Sequence, residues 1–151
     1  MKKIITLLFL TFMLKANSQS DLYTKIKNQL KSEHSEINLE NKLISVSFWS
    51  ANDLTSRDAN KQFNKVYTTY EFAKLKGGLK GIICITINKT AENATIGLAK
   101  DGANKLISIN NVDLNDVGTL TNIVYDTQGN EVYKNIAPEK IFESINKLIT
   151  R

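Results

Sequence analysis

Apolar residues near the start of the chain recur at spacings that predict a helix followed by a strand. Within 20–33, Leu22, Ile26 and Leu30 stand four positions apart with polar residues between them, which places one apolar stripe on a helix. Residues 42–49 are β-formers with apolar side chains at most positions, a pattern typical of a strand buried on both faces.

The next segment has helical spacing although it is polar in composition. It follows a turn at 50–53, and we expect its helix to end near Lys76, because two glycines follow and do not readily continue a helix. The apolar residues that carry the spacing are Ala59, Phe63, Val66 and Tyr70, with Tyr67 beside them. Tyr67 and Tyr70 could form an aromatic binding face, but at this spacing with Phe63 they are more often core residues.

The second half of the chain predicts further strands and two helices. The segments are a buried strand at 81–88, a weak helix at 91–100, a short strand at 105–109, a hairpin of strands 121–126 and 131–134, and a helix from Pro138 to Leu148. Strand–helix–strand order implies parallel pairing at the centre, and the closing hairpin is antiparallel. The expected fold is therefore a mixed sheet with helices on both faces.

The N-terminus has the three parts of a secretory signal. Lys2 and Lys3 precede an apolar run at 4–13, and residues 16–18 supply the small residues of a cleavage site. The apolar run is shorter than the ~20 residues that span a bilayer. We therefore expect a signal peptide at 1–18, an N-terminal helical extension at 19–36, and one folded domain at 37–151.

Signal removal changes the charge and with it the expected partners. Cleavage after Ser18 removes three lysines and no acidic residue, so the formal charge falls from +5 to +2. The high pI thus overstates the basicity of the mature protein, and a nucleic-acid partner is not expected. The predicted location is exported, periplasmic or secreted, without a stable membrane anchor once the signal is removed.

Cys84 is the single cysteine, and this excludes dithiol redox chemistry within the chain. It lies in mid-strand between isoleucines, where cysteine behaves as a small apolar residue and its pKa rises. The alternative is a one-cysteine peroxidase, which would need the thiol exposed at a helix start. We expect the thiol of Cys84 to be buried and not to act as a peroxidase.

Two segments resemble a known family. Residues 48–57 read Phe-Trp-Ser-Ala-Asn-Asp-Leu-Thr-Ser-Arg, and residues 120–129 read Leu-Thr-Asn-Ile-Val-Tyr-Asp-Thr-Gln-Gly. The first resembles the Phe-Trp-Ala-x-Trp-Cys-x-x-Cys-Arg segment of exported thioredoxin-like proteins of the TlpA (redoxin) type. The second resembles their later strand and Asp-x-x-Gly hairpin. The resemblance covers roughly 37–150 and implies a thioredoxin-like three-layer α/β fold.

The departures from the family pattern bear on function. Asp53 and Ser56 stand at the two cysteine positions, and Leu120 stands where the family has a cis-proline beside which substrate peptides dock; Trp49 and Arg57 keep their places. The resemblance implies a degenerate active site with no catalytic residue. We therefore expect a non-catalytic domain that binds a protein or peptide partner around 52–57 and 118–122. The alternative is a redoxin-group thiol-disulfide oxidoreductase that acts with a partner's thiols.

Other candidate chemistry has simpler interpretations. Asp53 is expected to cap the helix that follows it, since Asp is a preferred N-cap and suits the positive helix end. His34 is the single histidine, and without a Cys/His cluster no metal site or cofactor is predicted. The basic, glycine-rich segment 74–81 precedes a strand instead of opening a helix, so we interpret it as a solvated connection and not as a phosphate loop.

Overall fold

The computed structural model describes residues 20–90, 94–115 and 117–150. Its elements in chain order are α1 (Asp21–Glu33), β1 (Leu43–Trp49), α2 (Leu54–Tyr70), a 3₁₀ turn (Lys76–Gly78), β2 (Ile82–Asn88), α3 (Ala94–Lys100), β3 (Ile107–Ile109), β4 (Asn122–Tyr125), β5 (Glu131–Lys134) and α4 (Pro138–Asn146). The predicted signal at 1–18 lies outside the described residues. Within the described ranges, no helix is long and apolar enough to cross a membrane.

The strands form one mixed sheet in the order β3-β2-β1-β4-β5. β1, the central strand, pairs parallel with β2, which pairs parallel with β3. On its other side β1 pairs antiparallel with β4, and β4 pairs antiparallel with β5. All seven residues of β1 are buried, as the apolar run predicts for a central strand covered on both faces. The predicted mixed α/β sheet is confirmed.

Each face of the sheet has its own apolar core. One core combines side chains of α2, α3 and α4 with one face of β1 and β2, and includes Phe63, Leu98 and Ile141. The other combines α1 with the opposite face and includes Tyr23 and Tyr125, whose rings meet edge to face at 5.1 Å between centroids. Helices therefore cover both faces, which gives the three layers expected from the sequence.

The apolar stripe predicted for α1 is present, but the end predicted for α2 is wrong. Ile26 and Leu30 are buried together with Tyr23, and the half-buried Leu22 packs against the same core. α2 ends at Tyr70 and not near Lys76. The chain leaves the helix early because the following residues pair as extended backbone: Lys74 bridges Lys80, and Leu75 bridges Ile149 near the C-terminus. This pairing across 74 residues could not be predicted from local spacing.

Candidate functional site

Asp53 and Ser56 form the turn that opens α2. Asp53 is the N-cap, and its carboxylate accepts a hydrogen bond from the backbone N–H of Thr55 at 3.0 Å. The Ser56 hydroxyl is buried; it donates to the backbone oxygen of Asp53 at 3.0 Å and accepts from the backbone N–H of Ser50 at 3.2 Å. The predicted capping role of Asp53 is confirmed. The side chains of Asp53 and Ser56 are therefore both engaged in holding the turn.

Trp49 lies at the end of β1 beneath α3. Its side chain is 1% exposed, and a Cβ added at Gly97 of α3 would lie only 2.8 Å from the indole Cη2 atom. The absence of a side chain at Gly97 therefore allows α3 to lie directly on the ring. The indole Nε1 is buried without a hydrogen-bond partner among the described residues. Trp49 is a core residue here and is closed off from solvent.

Arg57 is directed to the far end of α3. Its Nε and Nη2 donate to the two carboxylate oxygens of Asp101 at 2.7 and 2.5 Å. The Asp101 side chain is 5% exposed, and hydrogen bonds from the guanidinium lower the pKa of its carboxyl below the usual value. This two-pronged pair fastens α3 to α2. The sequence did not single out Asp101, because nothing local links it to a residue 44 positions away.

Leu120 lies two residues before β4, at the end of the sheet where β1 ends. Phe48 of β1 donates its backbone N–H to the carbonyl oxygen of Thr121 at 2.9 Å. Lys89, which follows β2, donates its Nζ to the Leu120 carbonyl at 3.0 Å and its backbone N–H to the Trp49 carbonyl at 2.7 Å. The end of β1 and the Leu120 loop thus meet at one edge of the sheet, joined by a lysine that sequence reasoning missed.

The backbone of residues 120 and 121 is occupied by bonds within the chain. Besides the two carbonyls already bonded, the Leu120 N–H donates to Val117 at 2.9 Å, and the Thr121 N–H donates to the Asn135 side chain at 2.9 Å. Leu120 itself is buried, and the described part of the chain contains no cis peptide bond. Leu120 therefore stands in ordinary trans backbone, and neither residue offers a free backbone group to a docking peptide.

The residue before Leu120, Thr119, has backbone groups without hydrogen-bond partners among the described residues. Thr119 is exposed, and these groups are its N–H and its carbonyl. Gly118, with φ +52°, turns the chain there, and a Cβ at Gly118 would meet nothing within 4 Å. A groove of about 430 Å³ adjoins the loop and is lined by the start of α1 and by β4 and β5, including Leu22, Leu120, Ile123, Tyr125, Lys134 and Asn135.

A neutral polar cluster lies beneath the first turns of α2. The Ser47 and Thr86 hydroxyls both bond to the side-chain oxygen of Asn60, the latter at 3.2 Å, and all three residues are buried. The Asn60 Nδ2 has no partner among the described residues. The cluster carries no charge, so it supplies neither a base nor a cation that would activate a nucleophile at Ser56.

The one thiol lies away from this edge of the sheet. Cys84 is fully buried in β2 and pairs across the sheet with Ser45, four residues before Trp49. Burial raises the pKa of the Cys84 thiol to about 12, although a hydrogen bond with Ser45 acts in the opposite direction. The predicted burial is confirmed. A thiol in this environment is almost entirely protonated at neutral pH and is inert.

His34, Tyr67 and Tyr70, the other residues considered from the sequence, make contacts that hold the fold together. The His34 ring bonds to the Ser108 carbonyl at 3.1 Å and thereby ties the end of α1 to β3. In the ranges that the structure describes, no three His, Cys, Asp or Glu side chains are grouped so as to hold a metal ion. Tyr67 is a buried core residue, and the half-buried Tyr70 packs on Phe142 of α4.

Comparison with solved structures identifies the fold. No protein-family model and no curated protein matches the chain. Among solved structures, it is similar to the thioredoxin domain of a thiol-disulfide oxidoreductase from Bacteroides vulgatus, with TM-score 0.58 and 15% identity over 74% of this chain and 81% of that one. It is also similar to a thiol:disulfide interchange protein from Bacteroides sp., with TM-score 0.57 and 16% identity over 72% and 73% of the two chains.

A third similar structure is a secreted disulfide oxidoreductase from Mycobacterium tuberculosis, homologous to DsbE of E. coli. Its TM-score is 0.52, with 13% identity over 73% of this chain and 84% of that one. At such identities the likeness shows the fold alone. Together with the strand order, it shows that the domain has a thioredoxin-like α/β fold.

Proposed function

We propose that this chain is an exported, non-catalytic thioredoxin-like domain that binds a protein or peptide partner in the cell envelope. The binding region is the edge formed by 52–57 and 118–122. The observation that supports it best is the exposed, unpaired backbone of Thr119 beside a groove. An extended segment can hydrogen-bond to such backbone and place its side chains in the adjoining groove.

The lack of catalysis rests on the two positions where the related pattern has cysteines. Asp53 caps α2 and Ser56 bridges Asp53 and Ser50, so each has a structural task and neither can exchange with a disulfide. The alternative function, a thiol-disulfide oxidoreductase working with a partner's thiols, is favoured by the similarity to thiol-disulfide oxidoreductases. In that case the reactive thiols would belong to the partner, because Cys84 is buried.

Site-specific photocrosslinking in the host tests the binding region. A photoreactive residue replaces Thr119 and, as the control, Thr68, which is also exposed and lies on the outer face of α2. We expect one recurring crosslinked species at position 119, identified by mass spectrometry, and none in common at position 68. The same species at both positions, or none at 119, would contradict the proposal.

Two measurements separate the remaining parts of the proposal. Export predicts that the protein isolated from the host begins near Gln19, and an intact mass that includes Met1 would contradict it. The alternative function predicts that the complex with the partner reduces insulin disulfides, and that this activity is lost when the partner's thiols are alkylated before the complex is assembled, with Cys84→Ser having no effect. The non-catalytic proposal predicts that the complex forms but reduces insulin no faster than the partner does by itself.

A further inference from the structure

A basic hairpin lies at the other end of the sheet from the candidate site. Lys74 and Lys80 are bridge partners, and Gly77 and Gly78, both with positive φ, form the exposed tip between them. The C-terminal segment holds the hairpin in place: Lys76 donates its N–H to Leu148 at 2.7 Å, and Thr150 donates to Lys74 at 2.9 Å. Pairing on both sides fixes the position of the lysines.

The charge of this hairpin is not neutralised within the described chain. Lys74, Lys76 and Lys80 are exposed, and none has an ion-pair partner among the described residues. The nearest acid in the sequence, Glu71, is paired with Lys105 at 2.5 Å. By contrast, most lysines that do form ion pairs pair with a carboxylate three or four residues away, as Lys61 does with Asp58. The hairpin therefore carries three exposed lysines without an ion-pair partner among the described residues.

An exposed aromatic ring adjoins the lysines. Phe72 is 82% exposed, more than any other large apolar side chain that the structure describes. Lys42 connects it to the hairpin: the Lys42 Nζ lies 5.6 Å from the centre of the Phe72 ring and donates to the Lys80 carbonyl at 2.7 Å. We call Lys42, Phe72, Lys74, Lys76 and Lys80 the basic-aromatic surface.

This composition fits one kind of partner better than another. Unpaired lysines are attracted to anionic lipid headgroups, and an adjacent aromatic ring can enter the boundary between headgroups and acyl chains. An acidic protein would satisfy the lysines but would require an apolar pocket for Phe72. The surface lies at the start of β1 and β2, whereas the candidate site lies at their ends.

We infer that the basic-aromatic surface docks reversibly on an anionic phospholipid bilayer, which leaves the partner-binding edge facing away from it. The inference stands on this surface alone and does not depend on the peptide site. Each lysine is expected to strengthen binding about fivefold, and the attraction weakens when salt screens it.

Vesicle cosedimentation tests the inference. The form isolated from the host is used throughout, so that any contribution of residues 1–19 is common to all variants. We expect binding to vesicles with about one-third phosphatidylglycerol, much weaker binding to pure phosphatidylcholine, and loss of binding as ionic strength rises from about 0.05 to about 0.5 M. The variant Lys74→Gln, Lys76→Gln, Lys80→Gln should bind about a hundredfold more weakly.

Matched controls separate a specific surface from general charge. The variant Lys27→Gln, Lys31→Gln, Lys100→Gln has the same net charge as the hairpin triple variant but leaves the hairpin intact. It should bind vesicles as the native protein does. Phe72→Ser should weaken binding about tenfold, whereas Ile96→Ser, at another exposed apolar side chain, should not. Equal loss in both lysine variants would overturn the inference, as would binding to soluble polyglutamate without binding to the anionic vesicles.

Discussion

The hydroxyl of Ser56 donates a hydrogen bond to the backbone oxygen of Asp53, three residues earlier, at 3.0 Å. The resemblance to the TlpA-type segment aligns these two residues with its cysteines. Here they fasten the first turn of α2 to itself and to Ser50. The start of α2 is therefore held by side chains that carry no thiol.

Restoring two cysteines tests that geometry. Side chains three apart in a first helical turn have α-carbons about 5–6 Å apart, within the range that a disulfide bridges. The variant Asp53→Cys, Ser56→Cys should therefore form an internal disulfide on mild oxidation, seen as the loss of both new thiols by mass spectrometry, with Cys84 unchanged. Each single variant is the control and should keep its thiol. A folded double variant that keeps two reactive thiols would contradict the assigned position of the turn.

Gly97 should not tolerate a side chain while Trp49 is present. Alanine normally stabilises a helix relative to glycine, but here the added carbon would lie 2.8 Å from the buried indole. We expect Gly97→Ala to lower the free energy of unfolding by about 1–3 kcal/mol. In a Trp49→Phe background the smaller ring should remove most of that cost. The two costs are compared by urea unfolding followed by circular dichroism, and equal costs would show that the ring is not the obstacle.

The sequence predicts the centre of this fold better than its edges. The apolar runs of β1 and β2 are long enough to identify buried strands, and Asp53 identifies the start of α2. The end of α2 depends on the pairing of Leu75 with Ile149, which no local pattern contains.

The candidate site shows the same limit. The positions of Asp53, Ser56 and Leu120 at one edge follow from strand order, whereas the bond from Lys89 to the Leu120 carbonyl depends on how two loops approach each other. Arg57 is attached to Asp101, and α3 covers Trp49, for similarly non-local reasons.

The pair of Arg57 and Asp101 should make stability depend on pH. Because the folded-state pKa of Asp101 is lowered, the contribution of the pair is present above the unfolded pKa of about 4 and is lost as pH falls through the folded value. Arg57→Gln should therefore lower the urea midpoint at pH 7, and its difference from the native protein should shrink in acid. Lys61→Gln, which breaks an exposed pair, should change little at either pH. A pH-independent effect of Arg57→Gln would contradict the ion pair.

Cys84 should be unreactive in the folded protein. Its thiol should react slowly with a thiol reagent in native buffer and rapidly after denaturation, because the side chain is fully buried. Its raised pKa means that the unfolded state ionises first, so native stability should fall as pH rises from about 9.0 towards 12, less so in Cys84→Ala. Cys84→Ser should cost about 1–3 kcal/mol of stability and leave partner binding intact. Rapid native labelling would contradict the burial.

We predict that this thioredoxin-like domain catalyses no thiol-disulfide exchange, and a disulfide-reduction assay tests that prediction most directly. Insulin reduction by dithiothreitol is followed with and without the native protein, and with Cys84→Ser as the control. We predict that the native protein leaves the rate at that of dithiothreitol alone and that Cys84→Ser gives the same rate. Catalysed reduction by the native protein that is lost in Cys84→Ser would contradict the claim.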